Sequence, residues 1–162
     1  IKSCIEPITC AQKPPEGTFL ENWMKHGVGL INTSARVGEN SEMFPANILT
    51  AEEICGPLDR MFLVPKPNKA ERGEFNKHIS VKPLALMSQL VRLVTPEEAT
   101  VLDPFSGSGS TGIAAVIDGR NYIGFELSGE YFEMSQKRFN SILGQAPKWK
   151  RRGTRAEASF RS

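Results

Sequence analysis

Two carboxylates that flank a glycine-rich segment are the residues whose types and spacing best suit ligand chemistry. Asp103 begins the segment DPFSGSGSTG, and Glu126 follows downstream. Gly107, Gly109 and Gly112 give the spacing GxGxxG, which lets a backbone turn tightly and approach a nucleotide when it joins a strand to a helix. A carboxylate after the next strand can accept hydrogen bonds from both hydroxyls of an adenosine ribose. The sequence therefore predicts an adenosine site. The alternatives are that the glycines form an ordinary turn and that Glu126 is only a solvent-exposed residue.

The charge of Asp103 discriminates between adenosine cofactors. A dinucleotide places its pyrophosphate at the N-terminus of the helix after the glycines, where a neighbouring carboxylate would repel it. The same carboxylate attracts the ammonium group or the sulfonium of S-adenosylmethionine (SAM). The glycine segment also lies late in the chain, whereas a dehydrogenase needs most of its sheet downstream. The sequence therefore favours methyl transfer over a nicotinamide- or flavin-dependent Rossmann enzyme.

The elements that must position these residues lie in the second half of the chain. Apolar residues at helical spacing predict a helix that begins near Pro83, with Leu86, Met87, Leu90, Val91 and Val94 on one face. Short apolar runs predict strands at 100–105 and 121–127, with a helix of small residues between them. Ser128 is expected to cap a last helix, whose apolar stripe is Tyr131, Phe132, Ser135, Phe139, Ile142 and Leu143. This alternation predicts an α/β fold.

Prolines and glycines divide the first half, where long helices are not expected. The runs 5–11 and 61–64 are interpreted as strands, and the polar stretch 68–77 as an exposed loop at a boundary. The predicted division is a loop-rich segment with some strands (1–75), a cofactor-binding segment (76–146) and a basic, disordered tail (147–162).

The composition is that of an ordinary folded chain, with 162 residues of which 40% are hydrophobic and 23% charged. No segment has the apolar length of a membrane span or the core of a signal peptide, so we expect a soluble, cytoplasmic protein without a membrane partner. Cys4, Cys10 and Cys55 lack CxxC spacing and are interpreted as small apolar core residues. A zinc site that combines them with His26 is the disfavoured alternative, and no metal is predicted.

The tail carries six basic residues against the single acid Glu157. The basic residues are Lys148, Lys150, Arg151, Arg152, Arg155 and Arg161. Such a run can contact nucleic-acid phosphates, with Trp149 available for stacking, or it can be a solvated terminus.

Four segments, taken together, resemble the DNA methyltransferases that modify the exocyclic amino group of adenine or cytosine. They are HISVKP (78–83), LALMSQLVRLVTP, DPFSGSGSTG and GFELSGEYFE (124–133). In that family the first segment reads HPTxKP, and the segments follow in this permuted order at the C-terminal end of the chain. The resemblance implies a Rossmann-like SAM-dependent methyltransferase fold, with an incomplete sheet in this chain. It also implies that segment 1–75 resembles a target-recognition segment.

The resemblance assigns cofactor contacts residue by residue. The residues matched to the loop that holds the methionine end of SAM are Asp103, Pro104, Phe105, Gly107 and Gly109. Glu126 matches the acid that binds the ribose. Ser80 and Lys82 match positions near the cofactor carboxylate. A helix N-terminus beside an ammonium group and a hydroxyl can form an anion site, although Lys82 can also be a plain surface lysine. His78 can be structural or functional. Ile79 replaces the family's proline, which makes the loop geometry before the helix differ from the family pattern.

The family's catalytic tetrapeptide is not found in this sequence. It consists of Asp, Asn or Ser followed by two prolines and an aromatic residue, and it receives the target amino group of a base rotated out of the duplex. The only double proline, Pro14–Pro15, lies between Lys13 and Glu16. We therefore assign no catalytic residue. In the permuted order the tetrapeptide would precede this chain, which agrees with a first residue, Ile1, that is not methionine.

The resemblance implies methyl transfer from SAM to double-stranded DNA, with adenine as the expected target base. A non-catalytic remnant that binds cofactor or DNA is the alternative. No feature of the sequence indicates an oligomeric state.

Overall fold

The computed structural model describes residues 7–35, 49, 66–77 and 80–144, and the backbone of 159–161. The chain divides into two compact units, Ile1–Leu30 and Ile31–Ser162. The division predicted from the sequence, at residues 75 and 146, separates segments by their expected function and not by their packing. It stays a prediction. The predicted strand at 61–64 and the residues His78 and Ile79 lie outside the described residues.

In its described part, residues 7–30, the first unit contains one short helix, α1 (Phe19–His26). It begins with a capping box: Glu21 N donates to Thr18 Oγ1 (3.2 Å), and Thr18 N donates to Glu21 Oε2 (2.7 Å). It ends at Gly27, whose φ of 67° is the left-handed conformation in which glycine closes a helix. The predicted strand at 5–11 is wrong for its described part, because residues 7–11 belong to no strand. An alternating sequence becomes a strand only where a neighbouring strand supplies hydrogen-bond partners.

From residue 84 onward the second unit alternates helices and strands, as the sequence predicts, but the stretch 68–77, which was interpreted as an exposed loop, contains a short helix. Its described elements are α2 (Lys69–Arg72), α3 (Leu84–Val94), β1 (Thr100–Asp103), α4 (Ser110–Ile117), β2 (Asn121–Phe125), α5 (Gly129–Leu143) and β3 (Ser159–Arg161). Strands β1 and β2 are parallel, with Thr100 opposite Asn121 and Asp103 opposite Gly124. Strand β3 is parallel to β2 on its other side, which gives the order β1-β2-β3. No pattern in the sequence predicted β3.

The core of this unit lies where α3, α4 and α5 meet the sheet. Its buried members are Val91, Ile113, Ala115, Tyr122 and Phe139. The rings of Tyr122 and Phe139 pack with centroids 6.0 Å apart. Gly112, inside α4, has no room for a side chain, because a Cβ there would lie 2.6 Å from Cζ of both rings. The third glycine of the GxGxxG pattern therefore serves the close approach of α4 to β2 and α5.

The buried face of α3 differs in part from the apolar face that its sequence predicts. Ser88 and Gln89 are buried, whereas Val94 is 42% exposed. Both polar side chains have partners: Ser88 Oγ donates to the Asp118 carboxylate, and Gln89 Nε2 donates to the Ala35 carbonyl. A polar side chain can be buried when it is hydrogen-bonded. The apolar residues alone therefore predicted a buried face that differs from the observed one by part of a helical turn.

Candidate cofactor site

The glycine segment forms a tight loop between the end of β1 and the start of α4. Gly107 and Gly109 have φ angles of 52° and 75°, in the left-handed region that glycine adopts without steric cost. The loop also lies against the end of β2, because Ser106 N donates to the carbonyl of Phe125 (2.8 Å). The loop is thereby fixed at the carboxyl end of the two parallel strands, which is where open α/β sheets bind their ligands.

Asp103 is the last residue of β1 and begins this loop. Its Oδ1 accepts a hydrogen bond from Phe105 N (3.0 Å), and its Oδ2 accepts one from the Tyr122 hydroxyl (3.3 Å). The residue is only partly buried. The carboxylate is therefore held in one orientation at the rim of the loop, while part of its surface faces solvent.

Glu126 lies one residue beyond β2 and connects the loop to α5. Its Oε2 accepts a hydrogen bond from Gly107 N (2.7 Å), and its Oε1 accepts one from Ser128 N (2.9 Å). A carboxylate has about four lone-pair positions. Two amide hydrogens therefore leave about one acceptor position on each oxygen, which is the arrangement that two vicinal ribose hydroxyls require.

Tyr122 is a residue of the site that the motif analysis missed. Its side chain is 1% exposed, and its hydroxyl lies 3.0 Å from Ser106 Oγ as well as bonding to Asp103. Burial raises the pKa of this phenol above its ordinary value, and the nearby Asp103 carboxylate acts in the same direction. One signal was present in the sequence, because Tyr122 and Gly124 are two residues apart and so share a face of β2. In the structure a Cβ at Gly124 would lie 2.5 Å from the Tyr122 hydroxyl, so the glycine leaves room for the phenol.

Apolar side chains stand at the mouth of the site. Phe105 is 87% exposed and Leu127 is fully exposed, and each follows one of the two carboxylates closely in the chain. Pro104 is also exposed. The carboxyl end of the sheet therefore presents two acids and two large apolar surfaces together, a combination that suits a ligand with a hydroxylated sugar, a cation and a flat ring.

The segment before α3 approaches the loop through its backbone. Ser110 Oγ donates to the carbonyl of Lys82 (2.9 Å), and Ser80 is exposed. The first amide of α3, at Leu84, donates to the carboxylate of Glu71. A protein carboxylate therefore occupies the position at this helix N-terminus that we expected for the carboxylate of the cofactor. The predicted roles of Ser80 and Lys82 then depend on their side chains rather than on that amide.

The eight residues predicted to contact the cofactor do not all lie at one place. Asp103, the loop residues and Glu126 are brought together at the ends of β1 and β2, as the sequence predicts. The segment of Ser80 and Lys82 reaches this group through the start of α4.

Comparison with known proteins identifies the family of this arrangement. A family model described as DNA methylase matches residues 4–137. The chain belongs to this family. Members of this DNA methylase family use SAM as their methyl donor.

The chain is similar to type II methyltransferases of bacteria. It is 48% identical over 66 residues to M2.MboI of Moraxella bovis, which covers 41% of this chain and 24% of that protein. It is 32% identical over 140 residues to M.HindIII of Haemophilus influenzae, which covers 85% of this chain and 41% of that protein. The chain spans less than half the length of the curated relatives that it matches.

The solved structure of a DNA methyltransferase supports a Rossmann-like methyltransferase fold for this chain. The cytosine-N4-specific PvuII DNA methyltransferase matches 68% of this chain and 36% of its own, with a TM-score of 0.50 and 22% identity. The complex of M1.HpyAVI with SAM matches 65% of this chain and 44% of its own, with a TM-score of 0.46 and 33% identity. The α/β fold class expected from the sequence is confirmed.

Among the described residues, no helix is both long and apolar enough to cross a bilayer.

Proposed function

We propose that this chain forms the SAM-binding part of a DNA amino-methyltransferase that methylates adenine in double-stranded DNA. One observation carries the proposal: the carboxylates of Asp103 and Glu126 lie at the ends of adjacent parallel strands, on either side of a loop held by a Gly107–Glu126 hydrogen bond of 2.7 Å. Two acids in this arrangement match a nucleoside that carries a positive charge and free ribose hydroxyls.

Each residue of the site has a distinct part in binding. Glu126 accepts the two ribose hydroxyl hydrogens on the lone pairs that its amide bonds leave over. Asp103 attracts the ammonium and sulfonium charges, and Tyr122 and Phe105 N fix its orientation. Gly107 and Gly109 supply the left-handed backbone conformations that shape the loop around the nucleoside. Ser80 and Lys82 lie near the cofactor carboxylate.

When bound, SAM supplies a methyl group whose carbon is attacked by the exocyclic amino nitrogen of a base. A nitrogen–carbon bond forms, the carbon–sulfur bond breaks, the sulfur keeps the electron pair and the nitrogen loses a proton. The contribution of this chain is to fix the position and charge of the donor, since alignment accounts for much of the acceleration of such a displacement.

This chain is not expected to transfer methyl groups alone, because its 162 residues hold no tetrapeptide to receive the target base. That absence also favours the alternative, a remnant that binds cofactor or DNA without catalysis. The coding sequence upstream of Ile1 separates the two: an in-frame DPPY-like segment supports the enzyme, and a start codon immediately before Ile1 supports the remnant.

Calorimetric titration of the full chain with SAM tests the site. We expect binding of SAM and none of NAD, and a loss of at least about tenfold in SAM affinity for both Asp103→Asn and Glu126→Gln, as removal of a charge-assisted contact requires. Glu97→Gln is the matched control, because this exposed carboxylate precedes β1 at the opposite end of the strand. Binding of NAD alone, or unchanged SAM affinity in a folded Asp103→Asn/Glu126→Gln double variant, would refute the site.

The DNA and adenine parts need a separate measurement. We expect the longer protein, if it carries the tetrapeptide, to transfer tritiated methyl groups to duplex DNA, and base analysis to recover the label on adenine. Label on cytosine would overturn the choice of base and leave the SAM site standing. The basic tail is proposed to contribute phosphate contacts, so replacing Lys148, Lys150, Arg151 and Arg152 with glutamine should weaken DNA binding and reduce its salt dependence.

A further inference from the structure

A buried arginine lies directly beneath the cofactor loop. Arg138, in α5, is 1% exposed. Its Nη1 donates to the carbonyl of Ser108 (3.0 Å) and to Oγ of Ser110 (2.7 Å), and its Nε donates to the carbonyl of Glu71 (2.8 Å). One rigid guanidinium group therefore contacts the loop, the first turn of α4 and the end of α2.

The contacts of Arg138 continue to the segment before α3. Ser110 Oγ, which accepts from the guanidinium, donates in turn to the carbonyl of Lys82 (2.9 Å). Glu71, whose carbonyl accepts from Nε, holds the first amide of α3 with its side chain. The guanidinium thus connects both stretches of chain that we assign to the cofactor, the glycine loop and residues 80–82.

Stability of the core alone does not explain a charge in this position. Burial lowers the pKa of the Arg138 guanidinium, against the opposing effect of the Glu71 carboxylate. Its hydrogen-bond acceptors are neutral carbonyl and hydroxyl oxygens. Nη2 is buried without an acceptor among the described residues. A well-packed apolar side chain would serve a core at least as well as such a charge. The three directed hydrogen bonds are what an apolar side chain cannot supply.

We propose that Arg138 is a positioning residue for SAM binding: it fixes the glycine loop and the segment of Ser80 and Lys82 at the spacing that the cofactor requires. The inference rests on the proposed function, because the role of the guanidinium is defined by SAM binding at that site. Arg138 acts through Ser108, Ser110 and Glu71, the residues to which its guanidinium donates.

The chain offers a matched control in a second buried arginine. Arg120 is 6% exposed and donates through Nη2 to the Thr95 carbonyl (2.8 Å) and through Nη1 to the Asp118 carbonyl. It precedes β2, so it lies at the opposite end of that strand from the loop. Replacement of either arginine by methionine removes a buried guanidinium bonded to backbone oxygens, but only Arg138→Met releases the loop.

The experiment compares Arg138→Met, Arg138→Lys and Arg120→Met in the full chain by SAM titration, urea denaturation and amide hydrogen exchange. We expect Arg138→Met to weaken SAM binding by about tenfold or more. It should also speed exchange in the loop peptide that spans 106–112. Arg120→Met should lower the urea midpoint by a similar amount with less than about a threefold change in affinity. Arg138→Lys should recover part of the affinity, because an ammonium group can reach one or two of the three acceptors but not all of them.

The outcomes separate the two proposals. Equal effects of Arg138→Met and Arg120→Met on loop exchange and affinity would overturn the role of Arg138 while SAM binding by the unaltered chain stood. Failure of the unaltered chain to bind SAM would overturn the proposed function, and loop exchange would still decide whether Arg138 positions the loop. If Arg138→Met does not fold, Arg138→Lys decides: unchanged affinity and unchanged loop exchange in that variant count against the proposal.

Discussion

Gly112→Ala tests the packing that joins the glycine motif to the aromatic core. A Cβ at this position would lie 2.6 Å from Phe139 Cζ and 2.6 Å from Tyr122 Cζ. Ordinary carbon contacts are about 3.5–4.0 Å. Both rings are buried and packed on each other, so neither can move freely. Extra atoms in such a core cost about 1–3 kcal/mol.

The helix propensity of alanine opposes this loss. Alanine is favoured over glycine by about 1 kcal/mol inside a helix. Subtracting this gain leaves a loss of about 0–2 kcal/mol, and we expect about 1–2 kcal/mol for Gly112→Ala because both confined rings must shift. In a chain of this size each 1 kcal/mol corresponds to about 2–4 °C in melting temperature. We expect a melting temperature lowered by about 2–8 °C.

Gly129→Ala is the matched control for this prediction. Gly129 begins α5, and a Cβ there meets no atom within 4 Å. The same chemical change should therefore leave stability unchanged or raise it by up to about 1 kcal/mol. Displacement of the Tyr122 ring should also move its hydroxyl from Asp103, so SAM binding should weaken in Gly112→Ala and not in Gly129→Ala. A Gly112→Ala chain as stable as the unaltered one would refute the argument that the third glycine serves packing.

Two further predictions concern pH. The raised pKa of Tyr122 means that the folded chain favours the neutral phenol, so its contribution to stability is complete below the ordinary value of about 10 and is lost as the pH rises through the folded value. Urea midpoints at alkaline pH should fall less steeply in Tyr122→Phe, and an identical pH dependence would contradict the burial argument. In α1, the hydrogen bonds from the Thr18 amide and hydroxyl lower the pKa of Glu21, so its capping contribution is present above about 4.5 and is lost as the pH falls through the folded value. Carbon chemical shifts of α1 should move toward coil values in that window, and Glu21→Gln should abolish the pH dependence; a helix that keeps its shifts at about pH 3 would count against it.

The elements of the cofactor segment were predictable because their patterns are local and strong. The apolar runs that became β1 and β2, and the serine that caps α5, follow from periodicity and capping rules. The location of Asp103 and Glu126 at the same edge of the sheet also followed, since parallel strands joined by one helix place their carboxyl ends there.

What the sequence did not indicate are the partners of buried polar groups. Arg138 lies three residues after Ser135 on the buried face of α5, so its position was readable from helical spacing. The apolar stripe nevertheless omitted it, because whether a charge can be buried depends on oxygens that are distant in sequence, here 30 residues away at Ser108 and 67 at Glu71. The same reasoning accounts for Ser88 and Gln89 in α3.

The hydrogen bonds of Glu126 carry a consequence for how the cofactor binds. The carboxylate accepts from both Gly107 N and Ser128 N. It therefore ties the loop to the start of α5 through groups of the chain itself, and we expect the loop to be formed before the cofactor binds. A ligand that meets a formed site loses less conformational freedom on binding. Glu126→Gln should accordingly weaken SAM binding in two ways, because an amide has one acceptor oxygen for the sugar and the loop together, and its NH2 group cannot accept from either amide. Faster exchange at the Gly107 amide in the absence of SAM would distinguish this loss of preorganisation from the simple loss of a ribose contact.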